Sequence, residues 1–79
     1  MKRVVIGVVL GAAVQISEQG TLNLEFLSDY SDERNREWAA HSPIMTLNMV
    51  VKGELATLFH AGETYTVTIE RNHFDGENS

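Results

Sequence analysis

The chain of 79 residues contains no cysteine, which excludes disulfide staples and thiolate zinc sites together. Its histidines, His41, His60 and His73, have no partner at i,i+4 and no surrounding carboxylate cluster, so the pattern offers no metal site. Positive charge is also scarce. Six lysines and arginines stand against eleven acids, a net charge of −5. A binder of nucleic-acid polymers needs a basic face to displace counterions, and this balance speaks against one. It leaves room for a small anion held by two or three local arginines. The longest apolar run, Val4 to Val14, is too short to span a bilayer.

What remains is one small domain. A chain of this size buries only about 60–65% of the surface its unfolded form exposes, so a lone monomer is marginal. With disulfides and metals excluded, self-association is the remaining route to stability. A homo-oligomer, dimer or tetramer, is therefore expected.

Residues 3–16 read as a long strand or two short ones, with Gly7 and Gly11 as bulge or bend points. The segment is apolar on both faces, so it needs cover on both sides from a curled sheet or a second subunit. Lys2-Arg3 ahead of this run also resembles the start of a signal peptide over residues 1–14, the alternative to the strand reading. Glu18-Gln19-Gly20 signals a turn. Leu22, Leu24 and Phe26 then alternate with Asn23 and Glu25, the mark of a half-buried antiparallel strand.

Ser31 to Ala40 changes character. A Ser31 or Asp32 N-cap, acids in the first turn and no β-branched residue predict a helix of two to three turns over about 32–40. Pro43 ends it, because the residue before proline avoids the α region. Ile44–Val51 reads as a third strand. Leu55, Leu58 and Phe59 mark a short helical turn, and Thr64–Arg71 a last strand with Tyr65, Val67 and Ile69 inward. The expected class is mostly β (α+β): a small antiparallel sheet or open barrel of four or five strands with one short helix. The domain spans residues 1–71, and 72–79 form a polar, disordered tail.

No nucleophile stands beside a base, and no acid/base pair is evident, so no catalytic residue is assigned and no cofactor is expected. The helix carries the one chemical pattern. On a 3.6-residue period Ser31, Arg34, Asn35, Trp38 and His41 share or border one face. An aromatic plate, a guanidinium, an amide and an imidazole suit a nucleotide: the ring stacks on a base, arginine meets phosphate and Asn reads a base edge. The plainer reading is that Trp38 docks the helix on the sheet with the Arg34 stem over its indole. On the residues alone, packing outranks ligand binding. Tyr65 could present a hydroxyl at a rim, although core packing is its simpler role.

The stretch NREWAAHSPIMTLNMVVKGELATLFHAGETYTVTI resembles a widespread family of small phage proteins. It covers 35 of the 79 residues. The family pattern places Asn, a charged residue, Glu and an aromatic before a Thr/Ser-Pro turn. An alternating strand, an alanine-containing turn, Phe, Gly and a Tyr-rich strand follow. Here those positions are Asn35, Glu37, Trp38, Ser42-Pro43, Leu47, Met49, Val51, Ala56, Phe59, Gly62 and Tyr65. Relatives often carry Ser-Gly after the proline, whereas this chain has Ile44-Met45, two apolar side chains that offer no equivalent of the serine hydroxyl. Small phage proteins of this look are similar to the anti-CBASS sponge proteins. Those bind cyclic dinucleotides such as 3′3′-cGAMP as oligomers, without cleaving them, in the cytoplasm of the infected bacterial host.

The resemblance implies a non-catalytic oligomeric binder with sites between protomers; no membrane partner is expected. It raises the ligand reading of the helix face to parity with packing. The candidate ligand-binding residues are Arg34, Asn35, Trp38, His41, Ser42 and Tyr65. The second reading is a virion structural or assembly protein acting through protein contacts alone, suggested by the unpatterned apolar first strand.

Overall fold

The computed structural model describes residues 3–16, 18 and 20–72. Four strands, β1 (Arg3–Gln15), β2 (Leu22–Ser28), β3 (Thr46–Val51) and β4 (Thr64–Glu70), pair antiparallel in the order β3-β2-β1-β4. The sheet curls into a half-barrel, the mostly-β class the patterning predicts. Two short 3₁₀ turns complete it, η1 (Glu33–Glu37) and η2 (Gly53–Leu58). Among the described residues no helix is long and apolar enough to cross a membrane. The expected tail lies, apart from Asn72, outside the described residues, as do Met1, Lys2, Gln19 and His73.

The core forms on one face of the sheet. Ile6, Val8 and Leu10 of β1 pack with Leu24 and Phe26 of β2 and Val51 of β3, all buried. Burying side chains of this kind contributes about 1.5–3 kcal/mol each. Phe26, Phe59 and Tyr65 add an aromatic cluster with centroid separations of 5.7–6.2 Å. β2 keeps the strict alternation expected of it, with Leu24 and Phe26 in and Asn23 and Glu25 out. The Val4–Val14 run lies within a single strand, and its register slips between Leu10 and Ala12, so Gly11 is the bulge.

Gly7 is not a bulge, and that expectation is corrected. It pairs in unbroken register with Thr66 on β4. A Cβ there would lie 1.8 Å from Asp32 Oδ2, so the missing side chain makes room for the Asp32 carboxylate.

The predicted helix over 32–40 is also corrected. Only Glu33–Glu37 winds, as 3₁₀ rather than α, with Asp32 as N-cap accepting from the Arg34 N–H. The cause is Asn35, which has no exposed surface. Its Oδ1 accepts from the Gly7 N–H at 2.8 Å, and its Nδ2 donates to Gly7 O at 3.0 Å and Asp29 O at 2.8 Å. Trp38 Nε1 completes the set, donating to Asn35 Oδ1 at 3.1 Å. In a regular ladder the Gly7 N–H would meet Asp29 O directly; here the carboxamide stands between them. That anchor ties one residue of η1 to the sheet, and the chain turns tightly around it. The third strand begins at Thr46 rather than Ile44, because Ile44 N–H bonds locally to Ser42 O.

Two substitutions test this account. Asn35→Ala strands the Gly7 N–H and the Trp38 indole N–H, and is expected to cost about 3–4 kcal/mol in chemical denaturation; a loss below about 1 kcal/mol would remove Asn35 from this role. Gly7→Ala is expected to cost about 1–3 kcal/mol, with much of that loss recovered when Asp32→Ala is added to clear the space.

Candidate functional site

β1 is paired unevenly. Its ladder with β4 begins at Arg3, whereas its ladder with β2 begins only at Val8. The Asn35 carboxamide fills the step at Gly7. Beyond it, the edge of β1 at Arg3, Val4 and Val5 borders a cavity of about 520 Å³. Arg34, Glu37 and Trp38 from η1 and its C-cap also line it, as does Glu70 at the end of β4, the register partner of Arg3. The cleft therefore lies between a strand edge and the turn that Asn35 pins beside it.

Of the six candidates read from the sequence, Arg34 and Trp38 line this cleft together. Trp38 is half-buried, with its indole N–H spent on Asn35 and its ring packed against the core cluster. Packing and cleft-lining are thus both roles of the same side chain. Asn35 does not reach the cleft. Its two donors and two acceptor sites are all used inside the fold, so its reading as a base-edge contact is corrected to a structural one. His41 and Ser42 are exposed and border no part of the cavity. Tyr65 points to the opposite face of β4 from Thr66. Its hydroxyl accepts from His60 N–H and donates to Leu58 O. It closes the aromatic cluster rather than the cleft.

Arg3, Val4, Val5, Glu37 and Glu70 were not among the candidates. Arg3 and Glu70 sit near opposite ends of the sequence and face one another only through the β1–β4 register. No local spacing announces such a pair.

The electrostatics are mixed. Arg34 Nη2 lies 2.7 Å from Asp32 Oδ2, and its Nε donates to Asp32 Oδ1 at 3.1 Å. The same Nη2 reaches across the bare backbone of Gly7 to Thr66 Oγ1 at 3.2 Å. The side-chain bond from Arg34, and then its backbone N–H, hold the Asp32 carboxyl below its ordinary range, and Asp32 raises the Arg34 guanidinium in return. Arg34 Nη1 and the Arg3 guanidinium have no partner among the described residues. The cleft thus presents two available cationic groups, an indole and two carboxylates. Among the described residues there is no cluster of three metal-ligating side chains.

These features define a single-sheet β domain with a cleft between a strand edge and a 3₁₀ turn. No family model, no curated protein and no solved structure matches the chain.

The lowered Asp32 pKa fixes the sign of a pH effect. Its contribution to stability is present above the ordinary carboxylate value and is lost as pH falls through the folded value. The expected outcome, measured by thermal unfolding, is that the wild type loses more stability on acidification below pH about 4 than Asp32→Asn does. Equal losses would show that the pair with Arg34 is not coupled to folding.

Proposed function

We propose that this chain is a non-catalytic binding protein that holds a small nucleotide in the Arg34–Trp38 cleft. The observation that carries the reading is that the indole, the Arg34 guanidinium and Arg3 border one cavity. Its volume lies within the usual range of small-molecule sites, about 300–1,000 Å³. The ring supplies a stacking plate, the arginines meet phosphate, and Glu37 and Glu70 can accept from the amino groups of a base. The resemblance to the sponge proteins makes the ligand a cyclic dinucleotide, held as an oligomer and released unchanged, with the phage and its bacterial host as the setting. A phosphate here would engage the open Nη1 side of Arg34, since Asp32 holds the Nε side.

A second reading, an assembly protein acting through protein contacts alone, is favoured by exposed apolar side chains such as Ile44, Val50 and Leu58, each at least 61% exposed. Recovery of the protein in purified particles would support it.

A thermal-shift and calorimetric screen of cyclic di- and mononucleotides separates the two, because a ligand that binds only the folded state raises the melting temperature. The expected result is binding of a cyclic dinucleotide, recovered intact after denaturation. Trp38→Ala should weaken it by roughly 5–150-fold, the loss of one stacked base, and Trp38→Phe should weaken it less. Absence of binding across the panel at micromolar concentration would end the nucleotide reading.

A further inference from the structure

β4 is the last strand of the sheet, and among the described residues its second edge has no neighbour. Backbone alternation tells which groups face that edge. Gly7 turns its N–H and C=O toward Asn35 and Asp29, on the β2 side. Ile6 and Val8 therefore turn theirs toward Val67 and Tyr65 on β4. Leu10 agrees, bonding Glu63 O and Gly62 N. Thr64, Thr66, Thr68 and Glu70 are left with N–H and C=O groups aimed outward.

Monomeric proteins blunt such an edge with charge, proline or a bulge. The run Thr64–Ile69 has none of these. It is Thr-Tyr-Thr-Val-Thr-Ile, all strand formers, in unbroken register with β1. Ile69 is 57% exposed beside it.

We propose that a second copy of this chain pairs on this edge, β4 antiparallel to β4 about a two-fold axis at Val67. In that register Thr66 faces the partner's Thr68 and Thr64 faces the partner's Glu70, so every outward backbone group meets another. Val67 meets its own copy and Tyr65 meets the partner's Ile69, apolar cross-strand pairs that favour association. At the two ends Glu63 falls opposite the partner's Arg71, once on each side of the axis. Both residues are exposed. Moving the axis to Thr66 would set Glu63 against the partner's Ile69 and lose both charge pairs. The other sheet edge has no such complementarity. A two-fold at the middle of β3 leaves Lys52 opposite Ile44 or Thr46, and neither is acidic.

The pairing continues one half-barrel into the next as an eight-stranded sheet. Glu70 lines the Arg34–Trp38 cleft and Arg34 bonds Thr66 Oγ1, so cleft and joint both involve β4. Cross-linking and solution mass measured without nucleotide test the dimer separately from the nucleotide reading.

The absence of native cysteine gives a direct test. Val67→Cys places a single thiol at the axis, in a non-hydrogen-bonded pair whose close approach allows a disulfide. Under oxidation it should form a covalent dimer, whereas Met49→Cys on β3 should not. Thr68→Pro removes an outward N–H without touching the β1 ladder, and should give a folded monomer by circular dichroism and solution mass. Glu63→Arg should raise the dimer dissociation constant roughly fivefold, and Glu63→Arg with Arg71→Glu should restore it. A wild type that is monomeric at high micromolar concentration overturns the proposal. So does a dimer that survives Thr68→Pro, or one that cross-links through Met49→Cys instead. Should Val67→Cys fail to fold, the proline variant and the charge swap decide.

Discussion

One side-chain amide governs the layout of this molecule. The carboxamide of Asn35, with no exposed surface, stands between the Gly7 N–H of β1 and the Asp29 carbonyl just past β2, replacing one ladder bond while the Asp29 N–H still donates to Gly7 O. Each of its donors and acceptors is used, so burying it leaves no unmet polar group, the condition under which a buried amide is stabilising rather than costly. From this insertion follow the end of β1–β2 pairing, the position of η1 and the orientation of Trp38, whose indole N–H bonds the same oxygen. The bare Gly7 belongs to the arrangement. It admits the Asp32 carboxylate that caps η1, and it lets Arg34 cross to Thr66.

Ending the ladder early has a second effect. The first residues of β1 keep one strand neighbour instead of two, and the space left beside them becomes the cleft. A fully paired sheet would fill it. The same economy of material is visible in the overall shape, which is only 16 Å across its thinnest axis. A single curled layer has one buried face and two outer edges, and in a small domain both call for partners.

Some of this was legible from residue order and some was not. The alternation of β2, and of β4 as far as Tyr65 and Val67, identified inward residues, because a half-buried strand writes its burial into every second position. Ile69, read as inward, is instead 57% exposed near the end of β4. The bulge at Gly11 was readable for a similar reason: glycine interrupting a strand-forming run marks a break in pairing. The helix face was misread. A 3.6-residue period set Asn35 beside Arg34 and Trp38 as one surface, but the turn is 3₁₀, and Asn35 is drawn inward by an edge it could not be known to meet. Arg3 and Glu70 escaped notice because only the sheet register brings them to the same cleft.

The sequence by itself determined the class of the fold. Lacking cysteine, metal spacing and long helical periodicity, and carrying strand-forming runs between turn signals, it had few other structures open to it. Strand periodicity is local, so it survives reading one residue after another. The tertiary structure alone decided what Asn35 does, which groups face the cleft and which backbone edge of β4 is open. Those depend on register, and register is a relation between segments far apart in the chain, set by the core packing of Ile6, Val8, Leu10, Leu24 and Phe26.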